Sequence, residues 1–550
     1  MLRRWVFRKI IGLEPLQHRY NAGQPPYLKG FSKSETPAKH NLIQGVFHQP
    51  KKLTLIKLPG KTIQLLPDNP NLLFSQNYHD LETLLAVHRF SWIPLSGSSL
   101  DPNWIATLWL TWIRGFEQKK MGWPWHPYTA AERAINIIDF SRKFRTPGNL
   151  DETVSILEKH AEFILSHLEY YGAHNTSNHL SNNGRGLLRI GTALGSAFYA
   201  ETGSKIMIAE AKQIFGASGI LREGSTHYHV LLTKNYIDAW LDAKIANMNE
   251  AKDLQKIATK AMSIIPAINL PAGFPLIGDI SPDVPPSYLR KLTGVAGDGP
   301  IWPDNLTLQL QREVSNFCSA ANKEGKTKAT LDGWHKFGRG DWKGIAFVPP
   351  DGWTPIPGHG HNDLGAFELH HRKTPVIVDP GRGSYEDNQY ETVHLHSTIS
   401  IDNVGPTPTN RPYYSNQFRK IIIKKAPVTK YIANGFQLQH WGFSRLPGIG
   451  SVIRKWQFKK NSVKITDFVN GNGRHVIKQN FFVIEKPTIS EKTVIFHIGT
   501  NTFRLRNEFF AQTASRIRWL EYGRGEPGWL LTFETKTTLP FKGHTFLERI

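Results

Sequence analysis

Two histidines stand two residues apart, His359 and His361, in the stretch PGHGHNDLGAFELHHRKTPVIVDPGRGSYE. On a strand, that spacing turns both imidazoles to one face. His394 and His396 repeat it in HLHSTISIDN. Asp379 lies between the two pairs, after the apolar run PVIVD. Two or three histidines with a carboxylate suit zinc, which takes imidazole nitrogen and carboxylate oxygen. Imidazoles also move protons near neutral pH. Histidines on an exposed sheet face are the plainer alternative. Taken alone, the residues assign both His359 and His361 to a metal.

Two more clusters lie upstream. HNTSNHLSNNGRGLL opens a helical pattern and holds Asn178, His179, Asn182 and Asn183. These side chains offer hydrogen-bond donors without fixed negative charge, which suits an anion. Helix capping explains the same residues, because Asn and Ser are favoured there. GILREGSTHYHVLL holds Arg222, Glu223, His227, Tyr228 and His229. A tyrosine flanked by histidines serves as acid or base if its pKa drops from about 10. A tyrosine packed inside a helix array, its hydroxyl satisfied, is the alternative.

These residues need elements to hold them. From about residue 78 to 320 the apolar period is helical, as in LDETVSILEKHAEFILSHLEYY. DPNWIATLWLTWIRGF opens with Asp101 as N-cap and Pro102 at the first helical position. TAAERAINIIDF reads as a capping box, Thr129 with Glu132. After about residue 330 the period becomes two, in runs such as GIAFVPP, SVIRKWQF, SVKITDFV and TVIFHI. NGNG at Asn470–Gly473 signals a turn between two of these strands. The expected division is an extended lead-in over 1–75, a helical array over 76–328 and stacked antiparallel sheets over 329–550. The lead-in carries one short strand, at KLTLIKLP.

The whole chain narrows the function. Its single cysteine, Cys318, excludes an intrachain disulfide, a Cys-based zinc finger and an iron–sulfur cluster. The formal charge of +22 favours polyanions: nucleic acid, anionic lipid or acidic polysaccharide. The basic residues form no long block and no zinc-finger or RNP-like motif, so nucleic acid is not expected. No window of uncharged apolar residues is long enough for a transmembrane segment. MLRRWVFRKIIGLEPLQ is a poor signal peptide, so the expected location is cytoplasmic, with the periplasm as the alternative.

The three clusters, in this order, resemble the heparinase II/III-like family of polysaccharide lyases along nearly the whole chain. The most specific match is the GHGH segment, a strand, and the V-D-P-G turn. The resemblance implies an α+β multidomain fold, an N-terminal incomplete α/α toroid followed by a C-terminal antiparallel β-sandwich. It splits the histidine pair. His359 becomes catalytic, and His361 binds zinc with Asp379 and His396; HSTISID is similar to the family's third-ligand segment, and His394 is the fallback. Ligands drawn from two strands and a turn make that zinc structural. Asn178, His179 and Tyr228 take the other catalytic roles. WHPYTAAERAIN, Trp125–Asn136, resembles a segment lining the toroid. Tyr128, Arg133, Asn182, Glu223 and Tyr385 then meet the substrate. Arg382-Gly383-Ser384 departs from the Thr and Tyr often found after the turn, and Tyr385 compensates in part.

The implied activity is β-elimination at O4 of a uronic acid in an acidic polysaccharide. A non-catalytic or hydrolytic carbohydrate-active protein of bacterial cell-surface polysaccharide metabolism is the second reading, and a polyanion-binding protein the third. An unsaturated uronate product separates the first from the second. The third requires a basic stripe away from Tyr228.

Overall fold

The computed structural model describes residues 23–30, 40–118, 122–172, 178–325, 331–354, 356, 358–409 and 414–550. Contacts divide the chain into two units. One is Met1–Leu58, Thr62–Gln213 and Asp238–Leu254; the other is Pro59–Lys61, Ile214–Ile237 and Gln255–Ile550. These units differ from the expected 1–75, 76–328 and 329–550. Residues 214–237 and 255–325 are helix and loop, yet they group with the strands. Periodicity reports local hydrogen bonding, whereas packing units report which core a segment shares.

The first unit is helical apart from a short hairpin. The hairpin pairs β1 (Thr54–Leu58) with β2 (Lys61–Leu65), β1 being the strand expected in KLTLIKLP. The long helices follow: α1 (Leu81–Arg89), α2 (Pro102–Phe116), α3 (Pro127–Phe144), α4 (Leu150–Ser166), α5 (Asn178–Leu194) and α6 (Ala197–Ile214). Asp101 caps α2 as expected, accepting from the Asn103 amide. The start of α3 is a correction. His126 is the N-cap, its ring accepting from the Tyr128 amide, and Pro127 opens the helix. Proline's fixed φ suits that first position, so the helix begins before the expected Thr129–Glu132 box. Thr129 is buried inside the helix and its hydroxyl has no partner. One core is tryptophan-rich, with Trp92, Trp104, Trp109, Trp112 and Trp125. A second joins Ala130, Ala131 and Ala134 of α3 to Leu187 and Ile190 of α5. A Cβ on Gly186 would sit 2.6 Å from Ala131 Cβ, so only glycine lets α5 approach α3 this closely. That approach sets the starts of α3 and α5 side by side.

The second unit takes the start of α7 (Thr226–Ile245), most of α8 (Ala251–Met262) and α9 (Leu308–Gly325), then three antiparallel sheets. A four-stranded sheet runs in sequence order: β3 (Trp334–Arg339), β4 (Trp342–Phe347), β5 (Phe367–His371) and β6 (Thr374–Ile377). The remaining strands are β7 (Ile399–Ile401), β8 (Val428–Ile432), β9 (Gly435–His440), β10 (Ile449–Phe458), β11 (Ser462–Gly471), β12 (Arg474–Val483), β13 (Thr488–Ser490), β14 (Thr493–Ile498), β15 (Asn501–Asn507), β16 (Ala511–Glu521), β17 (Arg524–Thr538) and β18 (Phe541–Arg549). The eight-stranded sheet is ordered β13-β14-β15-β18-β11-β10-β9-β8, and the other four-stranded sheet β16-β17-β12-β7. The period-two pattern holds: buried and half-exposed residues alternate along most of β10, β11 and β14. All three sheets feed one core, through Trp342 and Phe367, Trp456 and Phe503, and Phe481 and Phe533. NGNG does turn the chain, with Gly471 and Gly473 at positive φ. The strands it joins, β11 and β12, lie in different sheets, so the turn is a sandwich corner and not a hairpin. This is the α+β layout expected, helices first and antiparallel β-sandwich last.

Candidate active site and metal centre

In the second unit, chemistry gathers around the start of α7. Ser225 Oγ accepts from the Tyr228 amide at 3.1 Å and donates to the Asp279 carbonyl at 2.7 Å. Thr226 Oγ1 donates to the Pro275 carbonyl at 2.7 Å. The helix start is thereby tied to the loop that carries Asp279. Tyr228 lies flat on His359, ring centroids 3.5 Å apart and planes 8° from parallel. The Tyr228 and Tyr385 hydroxyls share a 2.7 Å hydrogen bond. The Arg382 guanidinium sits 5.0 Å from the Tyr385 ring centre.

His359 faces a carboxylate on each ring nitrogen. Nδ1 is 3.1 Å from Asp279 Oδ2, and Nε2 is 3.4 Å from Glu223 Oε2. Glu223 is fully buried. Its carboxylate orients His359, which corrects the expectation that it meets the polymer. The histidines flanking Tyr228 are buried. His229 accepts from the Leu221 amide through Nδ1 and faces the Ala261 carbonyl through Nε2. His227 accepts from the Ser281 amide through Nδ1. Burial pushes the pKa values of both histidines down, to about 3 for His227 and about 4 for His229.

His361, Asp379 and His396 place one ligand atom each within 4.8 Å of one another. His394 is exposed and lies outside this group, whereas His396 is buried. The ligands come from irregular chain and not from strands: His361 precedes β5, Asp379 follows β6 and His396 precedes β7. The strand-face reading of GHGH is corrected accordingly, since its two glycines leave the segment without regular pairing. The donor set fits a zinc ion. His361 Nδ1 is buried with no hydrogen-bond partner, while its Nε2 lies 2.9 Å from Asp279 Oδ1. His396 Nε2 lies 2.8 Å from the Tyr390 carbonyl, leaving Nδ1 beside Asp379 Oδ2 at 2.8 Å. Each ring thus fixes one nitrogen on an acceptor and offers the other, the pattern of metal-bound imidazoles.

The first unit holds its own constellation, where α3 and α5 begin. His179 Nδ1 lies 2.7 Å from Glu169 Oε1, with His126 Nε2 3.6 Å from the same oxygen. Asn183 donates to Glu169 Oε2 at 3.0 Å and accepts from the Glu169 amide at 2.9 Å. Burial pushes the Glu169 carboxyl up, but His179, His126 and Asn183 together hold it down at about 2. The His179 side chain remains 43% exposed. Its ring is 4.8 Å from Tyr128, which in turn lies under Arg89 at 4.8 Å. His126, Glu169 and His179 also cluster like metal ligands. The His126 tautomer disfavours that role: Nδ1 accepts from the Tyr128 amide, so in the neutral ring Nε2 carries the proton. Asn178 and Asn182 are buried. Asn182 accepts from Arg185 at 3.1 Å, while its Nδ2 has no partner. Arg133 is a correction. It is wholly buried, stacks 3.7 Å from Trp112 and donates to His160 and to the His88 and Pro124 carbonyls. It braces the tryptophan core and is closed off from solvent.

Sequence reasoning missed Asp279, Glu169 and His126. Asp279 lies in a loop with no period to mark it, and Glu169 follows the end of α4. His126 carried the best available signal, sitting inside WHPYTAAERAIN beside Tyr128.

Comparison with known proteins bears on the fold. Residues 324–540 match the family described as heparinase II/III-like, C-terminal. A heparin-sulfate lyase of Pedobacter heparinus is 23% identical over 316 residues, 52% of this chain and 46% of the relative. The chain therefore spans about half the length of the curated relative it matches. A crystal structure of heparan sulfate lyase from Pedobacter heparinus superposes with a TM-score of 0.53 at 16% identity, covering 87% of this chain and 78% of the other. A heparinase III crystal structure gives 0.63 at 14% identity, covering 87% and 79%. At such identities the superpositions establish a shared fold. The family match lies over the C-terminal sheets, residues 324–540, and the wider likeness to these lyases is one of fold.

Proposed function

We propose that the protein is a polysaccharide lyase that cleaves a uronate-containing acidic polysaccharide by β-elimination. The observation that carries this reading is the tyrosine stacked on His359 and hydrogen-bonded to Tyr385. The relatives named as heparin and heparan sulfate lyases support it and point to a glycosaminoglycan. The surplus of 67 basic over 45 acidic residues suits such a polymer.

In this reading a phenolate at Tyr228 takes the C5 proton of the uronate. The electron pair forms the C4=C5 double bond and the C4–O4 bond breaks. Tyr228 gives its proton to the departing O4, so the side chain ends as it began. The Tyr385 hydroxyl donates to the Tyr228 oxygen and favours the phenolate. Both nitrogens of His359 face carboxylates, which suits it to holding Tyr228 more than to taking a proton. Asn178 and His179 are assigned, from the resemblance, to hydrogen bonds with anionic groups of the polymer, which such donors stabilise.

His361, Asp379 and His396 are assigned to one zinc, which when bound cross-links three loops and is structural. Asp279 and the Tyr390 carbonyl fix the two ligand rings from behind. The test of the function is a panel of purified acidic polysaccharides, followed by ultraviolet absorbance and product mass. Unsaturated oligosaccharides support the lyase. Saturated fragments would indicate hydrolysis instead.

A further inference from the structure

We infer that Asp279 is a positioning residue serving two histidines at once, setting the tautomer of His361 for the metal and holding His359 under Tyr228. The inference rests on the zinc reading above and adds the link between that centre and the tyrosine. Asp279 is buried, with Oδ1 2.9 Å from His361 Nε2 and Oδ2 3.1 Å from His359 Nδ1. A carboxylate only accepts, so each ring must bring its proton to the nitrogen that faces Asp279. For His361 this fixes the proton on Nε2 and leaves the lone pair on Nδ1, the buried atom with no partner.

Asp279 is itself held from several sides. Its amide donates to the His359 carbonyl at 2.9 Å, and its carbonyl accepts from Ser225 Oγ at 2.7 Å. The Ile280 amide donates to the Arg382 carbonyl at 2.8 Å, and Arg382 Nη1 stands 3.5 Å from Oδ1. Gly278, at φ +84°, lets this loop in; a Cβ there would sit 2.8 Å from both the Gly224 and His359 carbonyl oxygens. The chain therefore builds one rigid carboxylate whose two oxygens address two different functions. Glu223, by contrast, reaches only His359 of the pair.

The test measures zinc affinity by chelator competition, with turnover read separately at saturating zinc. Wild type should hold about one zinc per chain. Asp279→Ala should weaken zinc 10- to 100-fold, the usual cost of losing the partner behind a metal-bound histidine. It should also lower turnover when zinc is saturating. Glu223→Gln should lower turnover and leave zinc affinity within about twofold of wild type. A zinc affinity unchanged in Asp279→Ala would overturn the proposal, as would full turnover of the zinc-saturated variant. If Asp279→Ala does not fold, Asp279→Asn replaces it. An amide accepts at one atom and donates at the other, so it cannot serve both rings. Unchanged zinc affinity together with unchanged turnover in Asp279→Asn would then overturn the proposal. A wild type that binds no zinc defeats the metal reading itself, and this proposal with it.

Discussion

Tyr228→Phe separates chemistry from packing. The substitution removes one oxygen and keeps the ring that lies 3.5 Å from His359. The lost oxygen makes a 2.7 Å bond with Tyr385. A neutral, part-buried hydrogen bond contributes about 1 kcal/mol, so the variant should stay folded with Tm lower by roughly a degree or two. If that bond were all the hydroxyl does, turnover would change about fivefold, the rate equivalent of about 1 kcal/mol. As the proton-transfer group it should cost at least about 100-fold, close to 2.7 kcal/mol of barrier. Tyr385→Phe is the matched control. It removes the same bond from the other side and leaves the Tyr228 oxygen, so stability should fall equally and turnover should fall less. The assay is initial rate by ultraviolet absorbance on a substrate that wild type cleaves, with Tm and polymer binding measured alongside. A Tyr228→Phe enzyme within about fivefold of wild type would refute the role assigned to it.

Other outcomes follow from the same structure. His361→Ala should lose its zinc and melt at a lower temperature; a variant with full zinc by metal analysis defeats the ligand assignment. Glu169→Gln should destabilise at neutral pH. The folded-state pKa of about 2 lies below the ordinary 4.5, so this stability is complete above about 4.5 and drains as pH falls toward 2. The gap between wild type and variant should therefore narrow by about 1 kcal/mol by pH 4, read from denaturation midpoints, and a constant gap contradicts it. Asn178→Ala should lower turnover through weaker hydrogen bonding to the polymer's anionic groups, while an unchanged rate removes Asn178 from the reading. Polymer affinity should weaken as salt rises, because exposed charges are screened within about 8 Å at physiological ionic strength. Affinity flat with salt would assign recognition to neutral sugar contacts.

Local signals were legible and tertiary ones were not. Asp101 and Pro102 announce the start of α2 because a cap depends on only the next few residues. The Thr129 box failed because Pro127, two residues earlier, already opens α3. His361, Asp379 and His396 could be grouped from a motif, although the expected strand geometry is absent there. Arg133 could not be placed, since a polar residue in a helix buried nearly all round looks the same in sequence as one lining a cleft. Asp279 and Glu169 act through contacts made by loops and helix ends, whose positions the folded core decides. The NGNG signal gave a turn correctly, but which sheets its strands join depends on partners far along the chain.

The most direct test of the central claim is the product of digestion. Purified protein is incubated with a panel of glycosaminoglycans and other uronate polymers, and the oligosaccharides are weighed and scanned in the ultraviolet. A lyase leaves each new non-reducing end unsaturated, one water lighter than a hydrolysis fragment and absorbing as a conjugated uronate, and Tyr228→Phe abolishes that signal. Fragments carrying the added water and no such absorbance, or a signal untouched in Tyr228→Phe, would contradict the account.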